Sequence, residues 1–258
     1  MSISSTLVQR AQIRFHEPAD ALRPFVGCFW VLTAERGAAI RVVPDGSAAI
    51  SIQLDGRPRR WCLRGPLLRP DVRRFRSPAT LTGIRLRPGV VRLLTGSPAH
   101  ATVGRRLPFD DLPACRRPAS PDRCIEVLQD FLLERLAHAS LPDVVAAALD
   151  VIERAHGSVS VEEVASRCRV SPRHLNRLMR TWIGYGAKRY ATVVRFQATL
   201  HEMDRTPALA PAALASGNGY FDQSHLTFDL SRLGGATPGR LAATGVADFS
   251  KTRCDDLA

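Results

Sequence analysis

The sequence predicts an α+β protein: a β-rich N-terminal domain followed by an all-α C-terminal domain that contains two helix-turn-helix units. Three observations carry this reading. Residues 40–94 break into short apolar runs separated by turn residues. Downstream of residue 142, apolar residues recur at helical spacing instead. Within that second half, stretches 160–180 and 212–232 repeat one plan, and their second helices begin 51 residues apart. The expected boundaries are 1–115 for the β-rich domain, 116–141 for a linker and connecting helix, 142–246 for the helical domain and 247–258 for a tail.

In the N-terminal half, strands are expected over 40–43, 48–54, 61–63, 72–75 and 81–86, with Pro44-Asp45-Gly46, Asp55-Gly56 and Gly65-Pro66 as turns between them. An apolar segment, 22–30, precedes them, and 88–94 starts a short helix. Asp45, Arg85, Arg87 and Trp61 are candidates to line a pocket, with arginines gripping an anionic effector. Turn and strand positions account for the same residues more simply. Residues 108–121, with four prolines around Cys115, read as a linker. Ser120-Pro121-Asp122 then caps a helix whose Ile125, Leu128, Leu132, Leu133 and Leu136 form one apolar stripe. Such a stripe packs on its own domain or pairs with a second copy. The next helix, 143–156, supplies Val145, Leu149 and Ile152.

The first repeated stretch opens with Ser160 and Glu163, a capping pair in which each side chain satisfies a free backbone donor at a helix start. Val161, Val164 and Ala165 share a face, and Cys168-Arg169-Val170 makes the turn. Ser171-Pro172 restarts a helix with an N-cap and a proline at its first position. Leu175, Leu178 and Met179 face the core, which leaves Arg173, Asn176, Arg177 and Arg180 outside. Their donors suit guanine edges, adenine edges and phosphates. An isolated arginine face is usually only solvated; placement inside two spaced units is what favours a duplex. Arg169 fits either a structural turn role or a phosphate contact, and His174 and His225 read as packing or capping residues.

The second stretch repeats the plan, with 212–216 as the short helix, Gly217-Asn218-Gly219 in the turn and Asp222 capping a helix to about residue 233. Leu226, Leu230 and Leu233 are its buried stripe, so Gln223, Ser224 and Thr227 look outward. Residues 186–203, with Tyr190, Val194, Ala198 and Leu200 or His201 at near-helical spacing, form one connecting helix. Recognition helices lying side by side would enter successive major grooves about 34 Å apart.

Composition bounds the rest. A length of 258 residues with 45% apolar content suffices for two cores. No apolar run approaches a membrane span and residues 1–10 lack a leader pattern, so a cytoplasmic protein is expected. Cys28, Cys62, Cys115, Cys124, Cys168 and Cys254 show neither C-x-x-C pairs nor repeated spacing, which argues against a metal site and a disulfide framework. The formal charge is +12, with 34 arginines and two lysines. Residues 164–201 hold eight basic residues and no acid, whereas 206–250 hold two arginines and three aspartates. Because counterion release by basic side chains supplies sequence-independent affinity, the first unit should dominate binding, and Asp229 should repel phosphate.

The run Gly219-Tyr220-Phe221-Asp222-Gln223-Ser224-His225-Leu226 with Gly235-Ala236-Thr237-Pro238 resembles the signature of the AraC/XylS family of bacterial transcription regulators. So does Ser171-Pro172-Arg173-His174-Leu175-Asn176-Arg177-Leu178 followed by Gly184 and Tyr190. The resemblance implies a seven-helix DNA-binding domain, double-stranded promoter DNA as partner, and base contacts at Arg173, Asn176 and Arg177 and at Gln223, Ser224, Thr227 and Phe228. RNA polymerase, a small-molecule effector and a second copy of the chain are further partners it brings into view; no cofactor comes with it. Two departures stand out. Phe228, beside Asp229, occupies a usually basic position, and Gly234 replaces an aromatic. The second unit is therefore expected to dock mainly through backbone contacts. Pro44-Asp45-Gly46, Arg64-Gly65-Pro66 and the run 83–89 look like the N-terminal domain attached to a subset of these regulators, a sensing or dimerisation domain.

The expectation is thus a transcription regulator and not an enzyme. A DNA-repair alkyl-acceptor protein with an AraC-like domain would need an activated thiolate and a four-cysteine metal site, which the cysteine spacing does not provide. An architectural protein binding DNA with low sequence specificity is the other alternative, and its affinity would change little on base substitution.

Overall fold

The computed structural model describes residues 3–8, 10–55, 60–112, 120–206 and 209–244. The Asp55-Gly56 turn, the segment around Cys115, Cys254 and the tail fall wholly or partly outside them. The N-terminal half carries strands β1 (Ile3–Val8), β2 (Ala11–His16), β3 (Val26–Ala34), β4 (Ala39–Val42), β5 (Ala48–Gln53), β6 (Cys62–Arg64), β7 (Asp71–Arg74), β8 (Ala79–Leu86) and β9 (Arg106–Pro108). Seven of them form an antiparallel sheet in the order β1-β2-β3-β8-β5-β6-β9, and β4 and β7 pair separately.

Both faces of this sheet are covered, and the alternation of side chains along β3 shows how. Cys28, Trp30, Leu32 and Ala34 join Ile13, Phe15 and Leu81 on one face, under Ile40 and Phe75 from β4 and the end of β7. Phe29 and Val31 point the other way, with Ile50, Ile84 and Leu86. Strict period-2 alternation would put Val26 with Cys28, yet Val26 belongs to the Phe29 face. A register shift against β8 between Val26 and Cys28 supplies the extra residue that reverses the phase. Helices α1 (Val90–Thr95) and α2 (Pro121–Leu136) close the Phe29 face.

Ser120 caps α2 by accepting a hydrogen bond from the Arg123 backbone N–H at 3.2 Å. Cys124, Ile125, Leu128, Leu132 and Leu136 are buried against the sheet. Leu133 is not part of the stripe; it lies on the outer side, 36% exposed. The five expected strands appear as β4 to β8. β1, β2, β3 and β9 were not expected as strands: β3 is apolar on both faces and shows no alternation, and β9 is three residues long and ends on Pro108, the first residue of what reads as linker sequence.

The C-terminal half contains seven helices among the described residues: α3 (Asp143–Arg154), α4 (Val161–Arg167), α5 (Pro172–Trp182), α6 (Ala187–Arg205), α7 (Pro211–Gly217), α8 (Gln223–Gly234) and α9 (Pro238–Thr244). They enclose two cores. Val145, Ile152, Val164, Leu175, Met179 and Val193 lie in the first. Phe196, Leu214, Leu226, Leu230, Leu233 and Leu241 lie in the second. The connecting helix α6 departs from the single stripe expected of it. Its buried residues are Ala187, Tyr190, Ala191, Val193, Phe196, Thr199 and Leu200, whereas Val194 and Ala198 are half-buried and His201 is exposed. The first half of the helix serves one core and the second half the other, so no single face is apolar throughout.

The two halves of the chain pack on each other. Val43 is part of the second helical core, and Leu68 and Val103 pack against the first. The Gln197 amide on α6 donates to the Pro44 carbonyl at 2.6 Å. Gly46 has φ +80°, and a Cβ there would come within 2.7 Å of the Tyr190 ring, so both the turn and its close approach to α6 require glycine. Beside it, Arg85 donates to Asp45 at 2.8 Å, and Ser47 donates to the same carboxylate from its backbone and hydroxyl. Arg85 is therefore engaged by Asp45, Trp61 lies in the sheet core and Arg87 is exposed, so the anion-gripping arrangement considered for them is not assembled.

Burial alone would raise the Asp45 carboxyl, but Arg85 and the Ser47 hydrogen bonds outweigh it and hold it below its ordinary value. A depressed carboxyl contributes stability above its unfolded value, about pH 4, and loses it as pH falls through the folded value. Asp45→Ala is expected to cost about 3 kcal/mol at neutral pH, because it strips a carboxylate from a nearly buried guanidinium. Chemical denaturation on descending from neutrality to strong acid should show the wild type losing this advantage over the variant; a gap independent of pH would contradict the assignment.

Candidate nucleic-acid interface

The two helix-turn-helix units are the same local structure written twice. Ser171 caps α5 by accepting from the His174 N–H at 3.2 Å, and Asp222 caps α8 by accepting from the His225 N–H at 2.7 Å. In the turns, the Val170 N–H donates to the Ala165 carbonyl as the Tyr220 N–H does to Ala215, each at 3.0 Å. Arg169 and Gly219 take equivalent places, both left-handed, with φ 55° and 68°. Glycine meets that requirement without a Cβ penalty; Arg169 carries about 1 kcal/mol of strain for the same turn. The second turn is one residue longer, and the extra residue is Phe221, 93% exposed.

On α5, Leu175 and Met179 are buried and Leu178 half-buried, while Arg173, Arg177 and Arg180 stand exposed. The Arg177 guanidinium lies 3.1 Å from His174 Nδ1, so the histidine sits against a neighbour on its own helix. Asn176 is held differently from the arginines. Its Oδ1 accepts the Ala187 N–H at 3.1 Å and its Nδ2 donates to the Pro172 carbonyl at 3.1 Å. The first bond satisfies a free donor at the start of α6 and so ties α5 to α6. Both polar ends of the amide are thus engaged within the protein.

On α8, Gln223 and Ser224 are exposed and Thr227 half-buried. Phe228 is 62% exposed at the position that matches Arg177, with the Arg232 guanidinium 5.5 Å from its ring centre. Asp229 corrects the expectation that it repels phosphate. It is buried, 3.0 Å from Arg232, 3.7 Å from His225 and 3.8 Å from Arg195, so its charge is met inside the protein. Arg195 was counted among the basic residues of the first unit, yet its side chain is only 16% exposed. It lies 4.8 Å over the Tyr220 ring and donates to the Gly219 carbonyl at 3.2 Å. It is an internal clamp between α6 and the second turn. Sequence reasoning missed the role because the partner aspartate lies 34 positions downstream and no local spacing links the two.

The exposed residues of α5 line an open groove of about 650 Å³ that includes Arg173, Arg177 and Arg180. Among the described residues, no group of three or more His, Cys, Asp or Glu could hold a metal ion, and no helix is long and apolar enough to cross a membrane. The surface offers exposed cations on α5, and short polar groups with an aromatic on its repeat α8.

Residues 14–108 match a family described as a domain of unknown function (DUF6597). No curated protein matches the sequence. Among solved structures, ToxT from Vibrio cholerae aligns over 85% of this chain and 98% of its own at 8% identity, with a TM-score of 0.50. The C-terminal domain of AraT, a response regulator from Geobacillus stearothermophilus, aligns over 43% of this chain and 93% of its own at 21% identity, with a TM-score of 0.39. The ToxT alignment spans both halves, so what this chain shares with it is the fold: a β-rich domain followed by a helical domain.

Asn176→Ala removes the acceptor that meets the Ala187 N–H and is expected to lower stability by about 1–2 kcal/mol. Thermal unfolding of the variant checks this, and an unchanged melting temperature would return Asn176 to the set of free recognition residues.

Proposed function

We propose that this chain is a sequence-specific DNA-binding transcription regulator of the AraC/XylS type, acting on promoter DNA through two helix-turn-helix units. The repetition of one cap-and-turn geometry in α4-α5 and α7-α8 is the observation that carries this reading. In this reading α5 enters a major groove, Arg173 and Arg177 read base edges, and Arg180 with Lys188 serves phosphates. Asn176 holds α6 in register behind them. Gln223, Ser224 and Thr227 of α8 make short polar contacts, and Phe228 offers apolar contact to a thymine methyl, a weaker discriminator than a bidentate arginine. The first unit supplies most of the affinity and specificity. The β-rich domain is the regulatory part; its effector is a small molecule, and RNA polymerase and a second copy of the chain are its candidate protein partners.

Selection of bound fragments from a random duplex pool should recover a preferred motif. On that motif, Arg177→Ala is expected to cost about 1–3 kcal/mol with the loss concentrated at one base position. Equal loss on the motif and on unrelated duplex would make Arg177 a phosphate contact and remove the base-reading assignment. Phe228→Arg should tighten binding and steepen its salt dependence by about one unit of slope, since it adds a cation at the position that Arg177 holds in the first unit. A salt titration of both proteins on one duplex tests this. Weaker binding with an unchanged slope would identify Phe228 itself as a native contact.

A further inference from the structure

The groove beside α5 is not made by the helical half alone. His100, from the N-terminal half, lines it together with Arg173, Arg177, Arg180, His174 and Thr181. Its imidazole is exposed, but the loop that carries it is pinned. The preceding residue, Ala99, is fully buried, and the Thr102 hydroxyl donates to its carbonyl at 2.8 Å. On the sheet side, the Gly104 N–H donates to the Pro66 carbonyl at 2.8 Å, and the Gly65 N–H donates to the Arg105 carbonyl at 3.0 Å. On the helical side, Val103 packs into the first core, and the Arg92 guanidinium of α1 lies 5.0 Å over the Trp182 ring at the end of α5. The loop is therefore held at a fixed place beside the recognition helix by both halves of the chain.

The chemistry of the groove is one-sided. Among the described residues, every ionisable side chain that lines it is an arginine or a histidine, and no carboxylate is in the lining. The acid at the matching repeat position of the second unit, Asp229 where the first has Leu178, is buried there and committed to its own cations. A wall with no acid and a pre-positioned donor suits an anion that runs alongside the helix, which is what the sugar-phosphate strand flanking a major groove provides.

We propose that His100 forms the second wall of the DNA groove and contacts a backbone phosphate of the duplex that α5 enters, so that the β-rich domain takes part directly in DNA binding. This rests on the DNA-binding reading above.

The test uses the full chain and a fluorescein-labelled duplex of mixed sequence, with wild type, His100→Arg, His100→Glu and Arg177→Ala titrated over a range of salt. His100→Arg should bind about three- to tenfold tighter with a slope steeper by about 0.9, and His100→Glu about tenfold weaker, on this duplex and on the selected motif alike. Because the His100 side chain is exposed, both variants at position 100 should melt as the wild type does. Variants at position 100 that bind like the wild type, while Arg177→Ala still loses its preference for the motif, would overturn this inference and leave the regulator reading standing. Tighter binding by His100→Glu, or weaker binding by His100→Arg, would overturn it too, by showing that the loop obstructs the duplex. If the wild type fails to bind duplex DNA at all, the underlying reading fails instead.

Discussion

Helix α6 has to bury its two halves in two different cores, and the positions of α5 and α8 follow from how it does so. Tyr190 and Val193 fill the first core, Phe196 and Leu200 the second, so neither helix-turn-helix unit can rotate about α6 without opening a core. Polar contacts fix what packing leaves free. Asn176 on α5 holds the first turn of α6 through the Ala187 N–H, and Tyr190 donates from its hydroxyl to Glu153 on α3 at 2.5 Å. At the far end, Arg195 reaches the Gly219 carbonyl and Asp229. Apolar burial is non-directional, whereas these bonds have narrow geometry; together they set both distance and angle.

The two units share a backbone and differ in where their charge goes. The first unit exposes its arginines to solvent. The second unit turns Arg195, Arg232 and His225 inward onto one buried carboxylate and leaves Phe228 and Phe221 outside. A buried carboxylate with two guanidiniums beside it is costly to break and seldom stronger than an apolar core, so its worth here is in fixing geometry more than in raw stability. The second helix is thus held firmly while few charged groups remain on its exposed face. That asymmetry is physical in origin: the same residue types spent on tertiary contacts cannot also be offered to phosphate.

The β-rich half is attached to the helical half at separate points, the Pro44-Asp45-Gly46 turn on α6 and the loop 98–104 on α5. The first point contains a buried ion pair whose acid is held ionised by Arg85. Above it, the Tyr185 hydroxyl is buried, and burial together with the nearby Asp45 charge pushes its ionisation up. Such a junction tolerates few arrangements, because sliding the surfaces would break the Gln197–Pro44 hydrogen bond and disturb the close approach of Gly46 to Tyr190. A ligand that prefers one arrangement of the N-terminal half would therefore be felt at α5 and α6 through contacts already in place.

Much of the architecture is legible from the chain alone where local physics decides it. Ser120, Ser160, Ser171 and Asp222 announce helix starts, and each accepts the expected backbone N–H. Leu226, Leu230 and Leu233 announce the buried face of α8, and Gly219 the left-handed turn. β2 was equally readable, since Ala11, Ile13 and Phe15 alternate with exposed Gln12 and Arg14. β3 was not, because a strand buried on both faces has no polar phase. Tertiary structure alone decided the partners. Which way Asn176 spends its amide, that Asp229 is an internal counter-ion, that Phe196 and not Ala198 fills the second core, and that His100 stands beside α5 all depend on residues tens of positions apart. Periodicity and capping report on a few neighbours along the chain, whereas charge pairing and packing are settled by what the fold brings within a few ångströms.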